Sequence, residues 1–340
     1  MSQPLVARLL ARQADARVDV LAGPSTAAIF RHMPGIGRVH SVGFARGRLE
    51  LTRRMRLARE FAARRYQAAY VLPNTWKSAL IPFLARIPRR VGYVGEQRYG
   101  LLNDCRRLDA AALPRLVDRY AALADPVGAS TPAENPILLA KPALEPAYNP
   151  ELAPPRRSAP GVEAGIEPGF ELGTHAAPIV FCPGAEFGPA KRWPSAHFAR
   201  LASALATHDD PVILLGSPGE RAIGAAIAEA APGLCRNLCG ETTLDEALAL
   251  IAGARLVVTN DSGLMHVAAA YRVPLVAIFG SSSPRYTPPL SAQAQVLSLG
   301  LACSPCFQRT CPLVHTDCLN RLLPEQVLEA VQALRAERPR

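Results

Sequence analysis

The sequence contains no apolar run approaching the roughly 18 residues that a membrane-spanning helix requires, so it offers no candidate span. Its opening, MSQPLVARLLARQADAR, is periodic and carries charge throughout, unlike a signal peptide with its separate basic and apolar regions. With neither feature in hand, the expected location is the cytoplasm. There is no GxGxxG fingerprint and no P-loop, which counts against a dehydrogenase or an ATPase. Zinc-finger spacing, the aromatic pattern of RNA-binding sheets and basic heptads are all missing, so no nucleic-acid partner is expected. Aromatic residues are 6% and charged residues 19% of the 340, while 49% are apolar. That is the composition of a globular protein, with length enough for two domains.

What the sequence does have is basic charge, unevenly placed. Residues 1–130 hold 22 Lys and Arg against 9 Asp and Glu, and the remainder holds 16 against 19. A basic first half suits an anionic partner such as a membrane surface or an acidic substrate; a solvated Arg-rich face explains the same count. The eight cysteines do not suggest a disulfide framework in a cytoplasmic chain. Four of them cluster as Cys303, Cys306, Cys311 and Cys318, with His315 among them. That density suits a structural zinc, but the spacing is not a standard pair of knuckles, and reduced loop thiols fit equally.

The stretch from Ala254 to Gly280 organises the chain. It reads as strand Leu256–Thr259, a turn at Asn260–Gly263, helix Leu264–Tyr271 and strand Leu275–Phe279. Both strands are continuous runs rich in Val, Ile and Leu, the pattern of strands buried on both faces of a parallel sheet, and a parallel pair requires a crossover. The helix therefore starts at the carboxyl end of a strand, where open α/β sheets bind ligands. Its free N–H groups and adjacent Gly263 suit a phosphate or pyrophosphate, with Asp261 or Ser262 available as a cap. Ser262 and His266, four residues apart, share a face; capping alone and a semi-buried histidine explain the same residues.

The same βα rhythm runs through both halves, separated by a Pro-rich stretch from about Thr131 to Ala177. The expected organisation is a first Rossmann-like domain over 1–140, a connection over 141–177, a second Rossmann-like domain over 178–323 and a terminal helix over 324–340. The first half opens oddly, with helix Ser2–Ala14 before strand Arg17–Ala22, where an α/β unit normally opens on a strand. Asn74 and Lys77 begin a helix at a strand end, and a cation in a first turn opposes the helix dipole. That is a mild pointer to an anionic ligand there, to be weighed against an ordinary snorkelling lysine. In the second half three strand ends, PGAEFGPAKRW, GSPGE and NDSGLMH, converge on one crevice. There NDSG supplies amides for a diphosphate, Lys191 a cation for the leaving charge, and Glu220 a carboxylate for ribose hydroxyls.

FCPGAEFGPAKRWP (181–194), TNDSGLMHVAAA (259–270), AYVLPNTWKSALIPF (69–83) and RYGLLND (98–104) together resemble the ADP-heptose:lipopolysaccharide heptosyltransferases of the second type, in glycosyltransferase family 9. The resemblance implies an α/β GT-B fold, two Rossmann-like domains facing a cleft. It implies inverting transfer of L-glycero-D-manno-heptose from ADP-heptose to the first heptose of the lipopolysaccharide inner core. In that pattern Asp261, Ser262, Gly263 and His266 lie at the diphosphate, Lys191 reaches the phosphates, Ala185 and Glu186 line the donor loop, and Glu220 binds the ribose. Lys191 and Asp261 are the implied catalytic residues, and Asn74, Lys77 and Arg98 the implied contacts to the acceptor. The implied acceptor is an anionic lipid A–Kdo–heptose at the cytoplasmic face of the inner membrane. No cofactor is implied, and a divalent metal such as magnesium is left open. Relatives also carry a strand and a Gly-Asp loop ahead of the first helix, the Asp serving as general base. The sequence begins at the helix, so the expectation is a start assigned too far downstream or a shortened chain with impaired turnover. Two alternatives stand beside the transferase: an impaired donor-binding relative, and another sugar-nucleotide enzyme of the same fold.

Overall fold

The computed structural model describes residues 1–13, 15–45, 47–129, 131–140, 177–208 and 210–336. All of the expected interdomain connection except residue 177 lies outside them. In the first half the elements are α1 (Gln3–Arg12), β1 (Val18–Ala22), α2 (Pro24–Arg31), β2 (Ile36–Ser41), α3 (Leu51–Ala63), β3 (Ala68–Tyr70), α4 (Trp76–Leu84), β4 (Arg89–Tyr93), β5 (Asp104–Arg106) and α5 (Leu116–Ala122). The strands form two separate parallel sheets, β1-β2 and β3-β4-β5. A cavity of about 650 Å³ lies between them, lined by all of β1 and β3, by Leu5 and Leu9 of α1, and by Phe61 and Ile81 from α3 and α4. Among the described residues no strand pairs with the edges of β1 and β3 that border it.

The second half comprises β6 (Ile179–Cys182), α6 (Ser195–Leu205), β7 (Val212–Leu214), α7 (Arg221–Ala230), β8 (Cys235–Asn237), α8 (Leu244–Ala252), β9 (Leu256–Asn260), α9 (Gly263–Ala270), β10 (Leu275–Ile278), β11 (Ala294–Leu297), α10 (Asp317–Asn320) and α11 (Pro324–Ala336). Its six strands form one parallel sheet ordered β11-β10-β9-β6-β7-β8. Every residue of β6, β7, β9 and β10 is buried, because helices cover both faces. Alternate side chains serve opposite faces. Ile179, Phe181, Val258 and Val276 pack with α6 and α11, while Val180, Val257, Leu275 and Ala277 pack with α8 and α9. Thr243 and Glu246 form a reciprocal capping box at the start of α8.

The terminal helix joins the core of the second half through Val327, Val331 and Leu334, rather than standing apart as a segment of its own. The two halves touch: Val6, Ala28, Met33 and Leu138 belong to the same apolar cluster as α8 and α9. Asp245 accepts from Arg31 at 2.5 Å across this contact, and Leu138 N–H donates to Ala270 O at 3.1 Å. Strand β5 and helix α10 have no counterpart in the sequence-based expectation. Asp-Cys-Arg has no alternating apolar pattern, and it is extended because it pairs with Val91–Tyr93.

Candidate active site

In the order β8-β7-β6-β9-β10-β11 the chain winds outward in opposite directions from the β6/β9 pair, through α6 and α7 on one side and through α9 and a helix-free loop on the other, and that pair is the switch point at which such sheets open a ligand crevice. The loops that leave β6 and β9 are the two richest in candidate residues. Asn260, fully buried at the end of β9, ties them together: its Nδ2 donates to Pro183 O at 2.7 Å and its Oδ1 accepts from Trp193 N–H at 3.1 Å. One amide thus fixes the Pro183–Gly184 turn and the segment carrying Lys191 against the start of α9.

Ser262 is the N-cap of α9, but its side chain makes no capping bond; its Oγ lies 3.3 Å from Thr259 Oγ1. The first turn of α9 keeps its N–H groups uncapped, which is how a helix start presents itself to an anion. Gly263 is exposed at the first position, and a Cβ built there would meet nothing within 4 Å, so the approach is open. Asp261, buried to 6% exposure, accepts from Lys191 Nζ and from Ser282 Oγ, each at 2.5 Å. Lys191 lies in a single 3₁₀ turn (Pro189–Lys191), and its ammonium also sits 5.0 Å from the Phe187 ring centre. Held by one carboxylate and an aromatic face, this cation is pre-positioned beside the helix start. His266 follows one turn into α9. Burial lowers its pKa to about 4, so the imidazole is neutral near pH 7.

Glu220 comes to the same crevice from the end of β7. Its Oε2 accepts from Ser217 N–H at 2.7 Å and Ser217 Oγ at 2.9 Å, closing a capping box. The carboxylate lies so close to Gly184 that an added Cβ there would stand 1.9 Å from Oε1. Glycine at 184 is required by that approach. Ala185 is buried, its carbonyl accepting from Arg192, and Glu186 is exposed at the loop surface. The structure therefore gathers Lys191, Glu220, Asp261, Ser262, Gly263 and His266 with Ala185 and Glu186 around one set of strand ends.

The first half is less uniform. Asn74 is exposed and Lys77 half-buried, the latter lining the 650 Å³ cavity with Nζ donating to Gly47 O at 3.3 Å. Arg98 corrects the expectation of a direct acceptor contact. It is 1% exposed, and its guanidinium donates to Tyr93 O (2.7 Å), Pro73 O (2.5 Å) and Asn74 Oδ1 (3.2 Å). Arg98 is a strut beneath the strand-end loop that presents Asn74, with no face left for a ligand.

The cysteine segment also resolves. Cys303, Cys306, Cys311, Cys318 and His315 line a cavity of about 20 Å³, room for one water, beside the buried and unpartnered Ser281 Oγ. All eight cysteines are free, and among the described residues no group of three or more His, Cys, Asp or Glu is placed to hold a metal ion. The segment braces the crevice: Arg309 O accepts from Ala190 N–H at 3.1 Å, and Phe307 N–H donates to Ser281 O at 2.7 Å. Sequence reasoning missed Asn260, Ser282 and Gly184. Only Asn260 left a signal, a polar residue closing a fully apolar strand.

Comparison with known proteins shows the family. The family described as glycosyltransferase family 9 (heptosyltransferase) matches residues 54–316. Lipopolysaccharide heptosyltransferase 2 of Salmonella typhimurium is 42% identical over 99% of this chain and 95% of its own length. Lipooligosaccharide heptosyltransferase 2 of Haemophilus influenzae is 41% identical, covering 88% of this chain and 84% of the relative. The solved structure of E. coli ADP-heptose lps heptosyltransferase II superimposes with a TM-score of 0.80 at 39% identity, covering 99% of this chain and 94% of that one. The fold is that of the GT-B glycosyltransferases, and the chain belongs to glycosyltransferase family 9, the heptosyltransferases.

Proposed function

We propose that this enzyme transfers L-glycero-D-manno-heptose from ADP-heptose to the first heptose of the lipopolysaccharide inner core, as a step of lipopolysaccharide biosynthesis. Family membership and the names of the close relatives support a heptosyltransferase of this pathway. The observation that carries the site assignment is the uncapped start of α9 at the β6/β9 switch point, with Lys191 and Asp261 beside it.

In this reading the diphosphate rests on the N–H groups from Gly263 onward, with Ser262 and the neutral His266 flanking it. Lys191 exchanges part of its pairing with Asp261 for the phosphate oxygens as charge builds on the departing ADP, and this is where electrostatic stabilisation acts. Asp261, restrained by Ser282, sets the position of that cation. Glu220 meets the ribose hydroxyls, and the Ala185–Glu186 loop closes over the nucleotide. The acceptor hydroxyl attacks the anomeric carbon from the side opposite the phosphate, the bond from that carbon to the phosphate oxygen breaks as the new one forms, ADP leaves and the hydroxyl proton passes to solvent, so the configuration inverts. The basic first half, with Asn74 and Lys77 at its strand ends, faces the phosphorylated acceptor. Residues 1–140 are thus the acceptor domain and 178–323 the donor domain. Among the described residues no helix is long and apolar enough to cross a membrane; the protein works at the cytoplasmic face of the inner membrane by peripheral association.

The test is transfer of radiolabelled heptose from ADP-heptose to a one-heptose acceptor, with ADP and UDP compared as competitors. Product formation inhibited by ADP and not by UDP is expected. Failure to transfer, or stronger inhibition by UDP, overturns the assignment.

A further inference from the structure

Helix α4, WKSALIPFL, is apolar almost all round, yet only one side of it is covered. Ala79, Ile81 and Pro82 are buried. Trp76, Leu80, Phe83 and Leu84, at i, i+4, i+7 and i+8, form a second stripe on one face of the helix. Trp76, Phe83 and Leu84 are 37%, 42% and 37% exposed. A surface helix normally turns polar residues outward, so this row is an unpartnered face.

Its surroundings state what would cover it. Residues 45–93 hold twelve Lys and Arg against two acids, Glu50 and Glu60. Both acids are already engaged, Glu50 with Arg53 and Glu60 with Arg64 and His40. Exposed Arg48, Arg56, Arg59, Arg65 and Arg86 form no ion pair among the described residues. Arg56 and Arg59 lie on the solvent side of α3, which packs beside α4, opposite its buried Arg54, Ala58 and Phe61. Arg86 follows α4 directly, and the Arg90 guanidinium sits 5.6 Å from the Phe83 ring centre, fringing the apolar row with charge. The row begins at the strand-end loop, where Trp76 N–H donates to Glu96 at 3.0 Å, so it runs outward from the rim that carries Asn74.

We propose that the exposed face of α4, with the arginines of α3 and of the turn after α4, is the docking surface for an anionic lipid bilayer. An apolar stripe entering the interface and a cationic fringe meeting acidic headgroups is the signature of peripheral helices. The proposal names the surface behind the membrane association in the functional reading above and rests on that reading only for the membrane location of the acceptor.

The test is co-sedimentation of the full chain with sucrose-loaded vesicles of phosphatidylglycerol and phosphatidylethanolamine, against vesicles of phosphatidylcholine. Binding to the anionic vesicles alone, weakening with salt, is expected. Phe83→Ser with Leu84→Ser should lower partitioning about tenfold or more. Arg56→Gln, Arg59→Gln and Arg86→Gln together should lower it by about fivefold for each charge removed. A matched pair on the other half, Leu313→Ser with Val314→Ser, should leave it unchanged. Equal vesicle binding by wild type and both α4/α3 variants overturns the proposal. So does a change from dimer to monomer on gel filtration in the Phe83/Leu84 variant, which would give the face to a second copy. Heptose transfer to a deacylated, water-soluble acceptor should persist in all variants. Its absence in the wild type would strike the proposed function and leave the vesicle result to decide the surface independently.

Discussion

Gly263→Ala separates the stability of the donor site from its chemistry, because the two should move in opposite directions. Gly263 is the first residue of α9, its backbone is not in the left-handed region, and an added Cβ would meet no heavy atom within 4 Å. In the empty protein the substitution is therefore free of clash and removes unfolded-state entropy, a gain of about 0.5 kcal/mol and a rise of about 1–2 °C in Tm. With ligand present the same open space is where a phosphate must approach the helix start. A methyl group there forces the anion outward and away from the N–H groups, a cost of about 1–3 kcal/mol by analogy with overpacking. That is a factor of about 5–150 in Kd for ADP. Calorimetric titration with ADP, beside a thermal melt, reads both quantities. A raised Tm with ADP affinity within about twofold of wild type would refute the placement of the diphosphate on α9.

Gly184→Ala should act through Glu220. The new Cβ would stand 1.9 Å from its carboxylate, which must retreat until ordinary contact near 3.4 Å is restored, breaking the bonds to Ser217. A loss of about 0.5–2 kcal/mol in stability by urea unfolding is expected, together with weaker ADP binding; unchanged ADP affinity would dissociate Glu220 from the nucleotide. Lys191→Met strands the buried Asp261 carboxylate at a cost of about 3 kcal/mol, and adding Asp261→Asn should restore most of the stability while transfer stays abolished. Recovery of turnover in that double variant would remove the ammonium from the mechanism. His266, neutral because burial holds its pKa near 4 rather than the ordinary 6.5, binds fewer protons folded than unfolded between those values. Stability therefore rises with pH from 4 to 6.5 and is lost as pH falls through that window. His266→Gln should show a smaller loss of urea midpoint between pH 7 and pH 5 than wild type, and equal losses would show that the imidazole is not held neutral by the fold.

How far the sequence discloses this enzyme depends on the range of the forces involved. The continuous apolar strands around the switch point, the capping box at Thr243 and Glu246, and the NDSG helix start are set by neighbours in the chain, and all are readable as patterns. Residues whose role comes from a partner far along the chain are not. Ser282 matters because β10 lies beside β9, which brings its hydroxyl to Asp261. Gly184 matters because Glu220 arrives from β7. Arg98 shows the opposite error. An arginine in a polar loop ordinarily reaches into solvent, and the convergence of Tyr93 O, Pro73 O, Thr75 O and the Asn74 and Ser78 side chains makes a fully buried guanidinium tolerable. The contrast has a functional edge. The crevice proposed for the donor is built on strand ends of one continuous sheet, with the loop after β6 tied to the end of β9 by Asn260. The half proposed to take the acceptor is built on two short sheets separated by a cavity, the loop that carries Asn74 held by an arginine strut. On the proposed function, precision in binding is concentrated on the nucleotide, while recognition of a large anionic acceptor relies on the charge of a broad surface, which composition reveals and single positions do not.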